Sequence, residues 1–242
     1  RRAGPGCSPL DREDELAVLG AESFIDSRFV GTWTDAHLPD DPLLLYAGLN
    51  SPHYPYTCRE DLFRYYLPRV ESFEVESCFD HPFLGLSPWP PRPMEAGKDV
   101  PHRIVQRGRA AYYAKVEQMD GHYGRILDAL RDAGEDLDEW IIVYTSDHGD
   151  MLGEHGVWEK QKFFEGSARV PLIIRWPKGG LSGGKRIDAN VSLVDLFPTL
   201  MELSDLETPA GLDGRSLVPL MQGHGESWKD EVRSYFLQQG FR

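Results

Sequence analysis

Trp140-Ile141-Ile142-Val143-Tyr144-Thr145-Ser146-Asp147-His148-Gly149-Asp150 is the stretch whose reading decides the fold class. Its first six residues are apolar or β-branched, the length and composition of a strong strand. From Ser146 to Gly156 the chain turns polar and glycine-bearing, which reads as a loop. Upstream, Tyr112, Val116, Met119, Tyr123, Ile126 and Leu130 step by three and four. That spacing predicts a helix over 112–131 with one apolar stripe, stopped at Gly134. Downstream, residues 170–176 read as a further strand ended by Pro177, and an apolar run at 43–49 reads as a buried one. The turn-like Pro39-Asp40-Asp41-Pro42 precedes that run and Asn50-Ser51-Pro52-His53 closes it. Strand, helix, strand, loop, strand implies an α/β sandwich: a largely parallel, mixed central sheet flanked by helices. Chemistry in such sheets gathers beyond the carboxyl ends of the strands.

The flanking regions are less regular. A helix over 16–33 would present Leu16, Leu19, Phe24 and Phe29. Pro198 fits the first turn of a helix running to Leu203. Pro82, Pro88, Pro90, Pro91, Pro93 and Pro101 forbid regular structure across 80–101, a long surface loop of the functional kind.

Composition excludes several classes. With 40% hydrophobic and 27% charged residues the chain reads as globular, not disordered. Its 26 Lys+Arg against 39 Asp+Glu give a formal charge of −13. Such a surface repels nucleic acid and anionic lipid, so neither is expected as a partner, and any anion site must be built locally. No apolar run approaches the roughly 20 residues of a membrane helix. Cys7, Cys58 and Cys78 are too few and scattered for a disulfide framework or zinc cluster; one bridge plus a free thiol stays open. The start at Arg1, without a charged-then-apolar leader, reads as a piece of a longer polypeptide, and the compartment stays undetermined.

Three polar clusters sit where the strand-end rule wants them. His53 follows the first strand, Asp147-His148 the second, and Lys160 leads into the third. Asp147 offers a hard oxygen ligand and His148 a second ligand, but a Ca²⁺ or Zn²⁺ shell needs more donors. Lys160 and His53 are donors suited to a tetrahedral anion. Each also has a plainer reading: His53 as a loop hydrogen-bond partner, Asp147-His148-Gly149 as a turn, Lys160 as part of a solvated patch with Glu159 and Lys162.

The joint pattern changes the weighting. The run from Ser146 through Gly153-Glu154-His155-Gly156 and Trp158-Glu159-Lys160 to Glu165-Gly166-Ser167-Ala168-Arg169-Val170-Pro171-Leu172 resembles the type I sulfatase family of the alkaline phosphatase superfamily. The choline-sulfatase-like members are the nearest group, with iduronate sulfatase and phosphonate monoester hydrolases as relatives. Asn50-Ser51-Pro52-His53, Met119-Asp120 and residues 194–200 support it, so the likeness spans about 40–220. The resemblance implies an alkaline-phosphatase-like α/β/α sandwich. It implies Asp147 and His148 as ligands of one divalent cation, usually Ca²⁺ with Mg²⁺ or Mn²⁺ as alternatives. It implies His53 and Lys160 as catalytic, sulfate-contacting residues acting on a small-molecule or saccharide sulfate ester. Glu165 and Arg169 belong to the same motif and read as a structural ion pair or cap. By family the compartment would be periplasmic, secreted or lysosomal, or cytoplasmic for a choline-sulfatase-like member.

Two family features are missing. There is no early strand ending in paired aspartates, and no Cys- or Ser-x-Pro-Ser/Ala-Arg motif whose first residue becomes formylglycine. Cys7-Ser8-Pro9-Leu10-Asp11-Arg12 imitates the latter, but Leu10 and Asp11 replace the small residue and the arginine. Asp40-Asp41 enters a strand, where the family's metal aspartates leave one. Residues 1–242 therefore read as a partial sulfatase catalytic domain, incomplete at the N-terminus, lacking the nucleophile segment and the C-terminal small subdomain. Such a piece should be inactive alone and should expose an apolar face or await an N-terminal segment of the same protein. The rivals are a phosphonate or phosphate ester hydrolase of the same superfamily, and a non-catalytic fragment or pseudoenzyme. A zinc enzyme of the alkaline-phosphatase type would need more histidines than His155, which reads as a loop residue.

Overall fold

The computed structural model describes residues 3–30, 42–71, 100–160, 163–181, 183–236 and 239–241. The Asp40-Asp41 pair, Cys78, Lys162 and nearly all of the 80–101 loop lie outside them. The chain divides into two units, one of Arg1–Phe79, Pro91–Leu137 and Leu152–Glu159, the other comprising the rest.

In the first unit a two-residue strand, β1 (Gly4–Pro5), leads into helix α1 (Pro9–Ile25). The Cys-Ser-Pro imitation is the start of that helix. Ser8 is its N-cap, Asp11 completes a capping box and Pro9 stands in the first turn. This moves the helix N-terminal of the expected 16–33 span, and a π-helical turn over Asp26–Val30 follows it. The buried face changes with it: Asp14, Val18, Ala21 and Ile25 point inward, whereas Leu16, Leu19 and Phe24 are exposed. The cap sets the register, and the 14-18-21-25 spacing is the one that closes a stripe.

Residues 42–50 form no ladder, contrary to the buried strand expected over 43–49. Exposure alternates along them, with Leu44 82% and Tyr46 88% exposed. The period-two alternation is that of a strand, but no described backbone pairs with it. The chain then forms β2 (Thr57–Cys58), parallel to β1, and helix α2 (Glu60–Tyr66).

Helix α3 (His102–Asp132) contains the expected 112–131 stripe and extends it N-terminally to Pro101. Gly134 stops it as anticipated, with Gly134 N–H donating to Arg131 O and Glu135 N–H to Leu130 O. Its small residues Ala110, Ala111 and Ala114 let Tyr56, Cys58, Phe63 and Trp158 pack close, forming the core of the unit. Cys7 and Cys58 are free thiols, and burial pushes the Cys58 thiol up to about 11. Arg125 bridges α3 to α1 through Glu22 and Glu15, both at 2.8 Å.

The second unit holds β3 (Ile142–Thr145), helix α4 (Glu165–Ala168) and β4 (Leu172–Arg175). β3 and β4 pair antiparallel, Thr145 opposite Leu172 and Ile142 opposite Arg175. Arg175 pairs with Asp138, and Lys178 with Glu139 at 2.7 Å, fastening the open end of this hairpin. Helices α5 (Leu196–Leu203) and α6 (Val218–Gln222) follow. Buried Thr199 joins them, donating to Asp195 O and accepting from Leu217 N–H at 2.9 Å. A short antiparallel pair, β5 (Ser234–Phe236) and β6 (Gln239–Phe241), ends the chain. No helix among the described residues is long and apolar enough to cross a membrane.

The buried side chain of Lys115, 1% exposed, meets Asp11 at 2.5 Å. Burial acts to raise the Asp11 pKa, but the bonds from Lys115, Ser8 and Thr57 outweigh it and hold the carboxyl below its usual range. A depressed folded pKa adds stability that is complete above the unfolded value near 3.9 and lost as pH falls through the folded one. Asp11→Asn should therefore flatten the acid limb of denaturant-measured stability below about pH 4. Lys115→Ala, which strands a carboxylate, should cost about 3–5 kcal/mol at pH 7 in the same measurement.

Candidate active site

β3 ends at Thr145, whose hydroxyl donates to Pro171 O at 2.9 Å and locks the hairpin at its Asp147 end. The next residues make a tight polar loop. Ser146 Oγ donates to His148 O at 2.9 Å, and His148 N–H to Asp147 Oδ1 at 2.9 Å. Gly149 N–H donates to Ser167 O at 2.8 Å, seating the loop on α4. A Cβ at Gly149 would stand 2.2 Å from Gly166 O, so this approach requires glycine.

Asp147 and His148 are thereby held at the strand end, Asp147 83% and His148 32% exposed at the side chain. His148 Nδ1 lies 2.9 Å from Gly149 O. A carbonyl only accepts, so Nδ1 carries a proton, and in the neutral ring Nε2 then keeps its lone pair. Nε2 in turn faces Lys160 Nζ at 2.8 Å and Asp147 Oδ2 at 3.3 Å. Two electron-pair donors thus face each other with a cationic ammonium beside them. This tautomer, fixed by a backbone carbonyl, is the form in which histidine binds metals. The donor set fits a divalent cation as part of a shell, and among the described residues no group of three or more His, Cys, Asp or Glu forms one. Asp147, His148 and Lys160 line an open cavity of about 1730 Å³ within the second unit. Glu165 and Arg169 pair at 3.4 Å across α4, both largely exposed, the structural role their motif suggested.

His53 belongs to the first unit. Its segment is fastened by the buried carboxylate of Asp14, which accepts from Asn50 N–H at 2.5 Å and Ser51 N–H at 2.9 Å. His53 Nδ1 meets Tyr54 O at 2.7 Å, which again places the proton on Nδ1. His155 lies on the 3₁₀ turn Glu154–Gly156 in the first unit. Sequence reasoning missed Asp14, whose signal was a carboxylate in line with Val18, Ala21 and Ile25. It also missed Arg109, buried on α3, whose Nε donates to Leu152 O at 2.9 Å.

A family model described as Sulfatase matches residues 18–206. The chain belongs to the sulfatase family. It is 35% identical over 193 residues to arylsulfatase K of Danio rerio, covering 74% of this chain and 36% of that protein. It is 35% identical over 197 residues to choline-sulfatase of Rhizobium meliloti (strain 1021), covering 75% of this chain and 36% of that protein. The chain thus spans about a third of the length of these curated relatives. Among solved structures it superposes on the phosphonate monoester hydrolase of Agrobacterium radiobacter with a TM-score of 0.74 and 27% identity, covering 95% of this chain and 47% of that one. Its fold is accordingly the alkaline-phosphatase-like α/β fold, of which the described sheets are pieces.

For this sulfatase-family loop, Gly149→Ala should drive the Asp147-His148 turn off α4. We expect a melting temperature lower than that of the parent chain, measured by scanning calorimetry.

Proposed function

We propose that this chain is part of the catalytic domain of a sulfuric ester hydrolase and contributes one side of its active site. The observation that carries the reading is the convergence of Asp147, His148 and Lys160 at the end of β3, on the sulfatase-family motif. Asp147 Oδ2 and His148 Nε2 would hold one divalent cation, Ca²⁺ in this reading with Mg²⁺ or Mn²⁺ as alternatives. When bound, that ion neutralises charge on the transferring sulfuryl group.

The chain's own groups supply the remainder. Gly149 O fixes the His148 ring so that Nε2 points its lone pair at the ligand position. Lys160, within reach of that position, would contact the sulfuryl oxygens as a point charge and stabilise the transition state. His53 would bind a sulfuryl oxygen and protonate the leaving oxygen from Nε2 as an imidazolium, since its Nδ1 proton is committed to Tyr54 O. The nucleophile, a formylglycine, would come from a segment carrying the motif this sequence lacks. Small-molecule or saccharide sulfate esters are the expected substrates. A phosphonate or phosphate ester is the second reading, favoured by the likeness to the Agrobacterium phosphonate hydrolase.

The roles separate by mutation in the full-length protein. Asp147→Asn should lower bound metal and aryl-sulfate hydrolysis together. Lys160→Ala should retain metal while kcat falls by about 10²–10³-fold, the size of losing one transition-state donor. Metal analysis beside hydrolysis assays checks both, and turnover of phosphonate esters above sulfate esters would select the second reading. Full activity after Lys160→Ala would defeat the assignment.

A further inference from the structure

The second-unit cavity that Asp147, His148 and Lys160 line is larger than one sulfate ester requires. Its volume of about 1730 Å³ exceeds the roughly 300–1,000 Å³ of a small-molecule site. Its charge also runs against that of the chain. Among the described residues its walls carry the cations of Lys160, Arg169, Arg175, Lys185, Arg186 and Arg233. The carboxylates on the same walls are those of Asp147, Glu165 and Asp188. A chain of net charge −13 thus turns an excess of cations towards one cavity.

Three of these cations are neutralised by a neighbour. Arg169 pairs with Glu165 at 3.4 Å, Arg186 with Asp188 at 2.7 Å, and Arg175 with Asp138. Lys185 is held differently. Its Nζ donates to Met221 O at 2.6 Å and to Leu220 O at 3.4 Å, near the end of α6. Carbonyls fix the ammonium without cancelling its charge, and the third of its N–H donors is left for a ligand. Arg233, immediately before β5, meets no carboxylate among the described residues. Its planar fork of donors matches an oxyanion.

Resting on the reading of this site as that of a sulfuric ester hydrolase, we propose that Lys185 and Arg233 form a second anion subsite. The substrate is then a saccharide sulfate that carries a further anionic group, a sulfate or a carboxylate, which is bound and not cleaved. Lys160 takes the sulfuryl group that leaves; Lys185 and Arg233 take the one that stays. Contacts to a group remote from the reacting bond are equal in ground and transition state, so they act on KM and not on kcat. A singly charged small sulfate ester leaves both cations unused.

The test uses the metal-loaded, full-length protein and three disaccharide sulfate esters with the same scissile group. One is otherwise neutral, one carries a second sulfate and one a carboxylate. The parent should prefer the doubly charged esters in kcat/KM, and comparing those two shows which anion the subsite favours. Lys185→Ala and Arg233→Ala should each cut that preference about 3–5-fold, the scale of an exposed ion pair, and together about tenfold, through KM. Lys185→Arg, which keeps the charge, should retain most of it, and added salt should erode it in the parent. A disulfonate analogue, which cannot be hydrolysed, should bind the double variant about tenfold more weakly by titration calorimetry. The proposal is overturned if the parent shows no preference for a doubly charged ester, if the preference survives both substitutions, or if the variants slow all three esters equally. A parent that cleaves none of the three removes the sulfatase reading instead. The calorimetric comparison then still decides the subsite, and unchanged binding by the double variant overturns it.

Discussion

The first unit depends on one buried charge pair. Asp11 takes the ammonium of Lys115, the hydroxyl of Thr57 and both the amide and hydroxyl of Ser8. One carboxylate thus ties the start of α1 to β2 and to the middle of α3. Such a pair contributes little net energy over an apolar replacement, but breaking half of it strands a charge in the interior. Its main effect is to fix one arrangement. With the start of α1 fixed, Asp14 falls one turn on, where its carboxylate catches the amides of Asn50 and Ser51 just before His53. A helix cap thereby determines where a candidate catalytic histidine begins its loop.

The second unit solves a different electrostatic problem. A chain of net charge −13 has no long-range attraction for anions, so any anion site on it must be built from local, oriented charge. Orientation comes from neutral backbone: Gly149 O sets the His148 tautomer, and Ser167 O seats Gly149. In the proposed reading, only Lys160 and a bound cation would then need to carry charge at the cleaved group. Preorganisation of this kind acts most strongly where water is excluded, and the exposure of Asp147 marks the side on which that exclusion is incomplete.

Legibility from sequence followed the range of the interactions. Helix α3 is readable because its stripe is local and long, and β3 because a run of apolar and β-branched residues leaves few alternatives. The Asp147-His148-Lys160 grouping came from a dense motif, and geometry added the tautomer and the glycine notch that a string of letters does not display. Sequence alone gives helix α1 the wrong register because Leu16 and Leu19 suggest one stripe, whereas the cap at Ser8 and a buried aspartate decide the face. The 43–49 run reads as buried because apolar runs usually are; burial depends on what packs there at long range, and among the described residues Leu44 and Tyr46 stay 82% and 88% exposed. Arg109 and Trp158 were invisible for a similar reason, since their weight comes from what α3 places opposite them.

That bare run at 42–50 carries a consequence for handling the polypeptide. An extended segment with alternating apolar side chains, paired with no described strand, is a surface that holdase chaperones or the strand edge of a second copy can bind. Its fate on expression is a competition between capture by such chaperones and addition to another edge. Concentration and temperature during synthesis, more than intrinsic fold stability, should decide how much of this polypeptide is recovered in dispersed form.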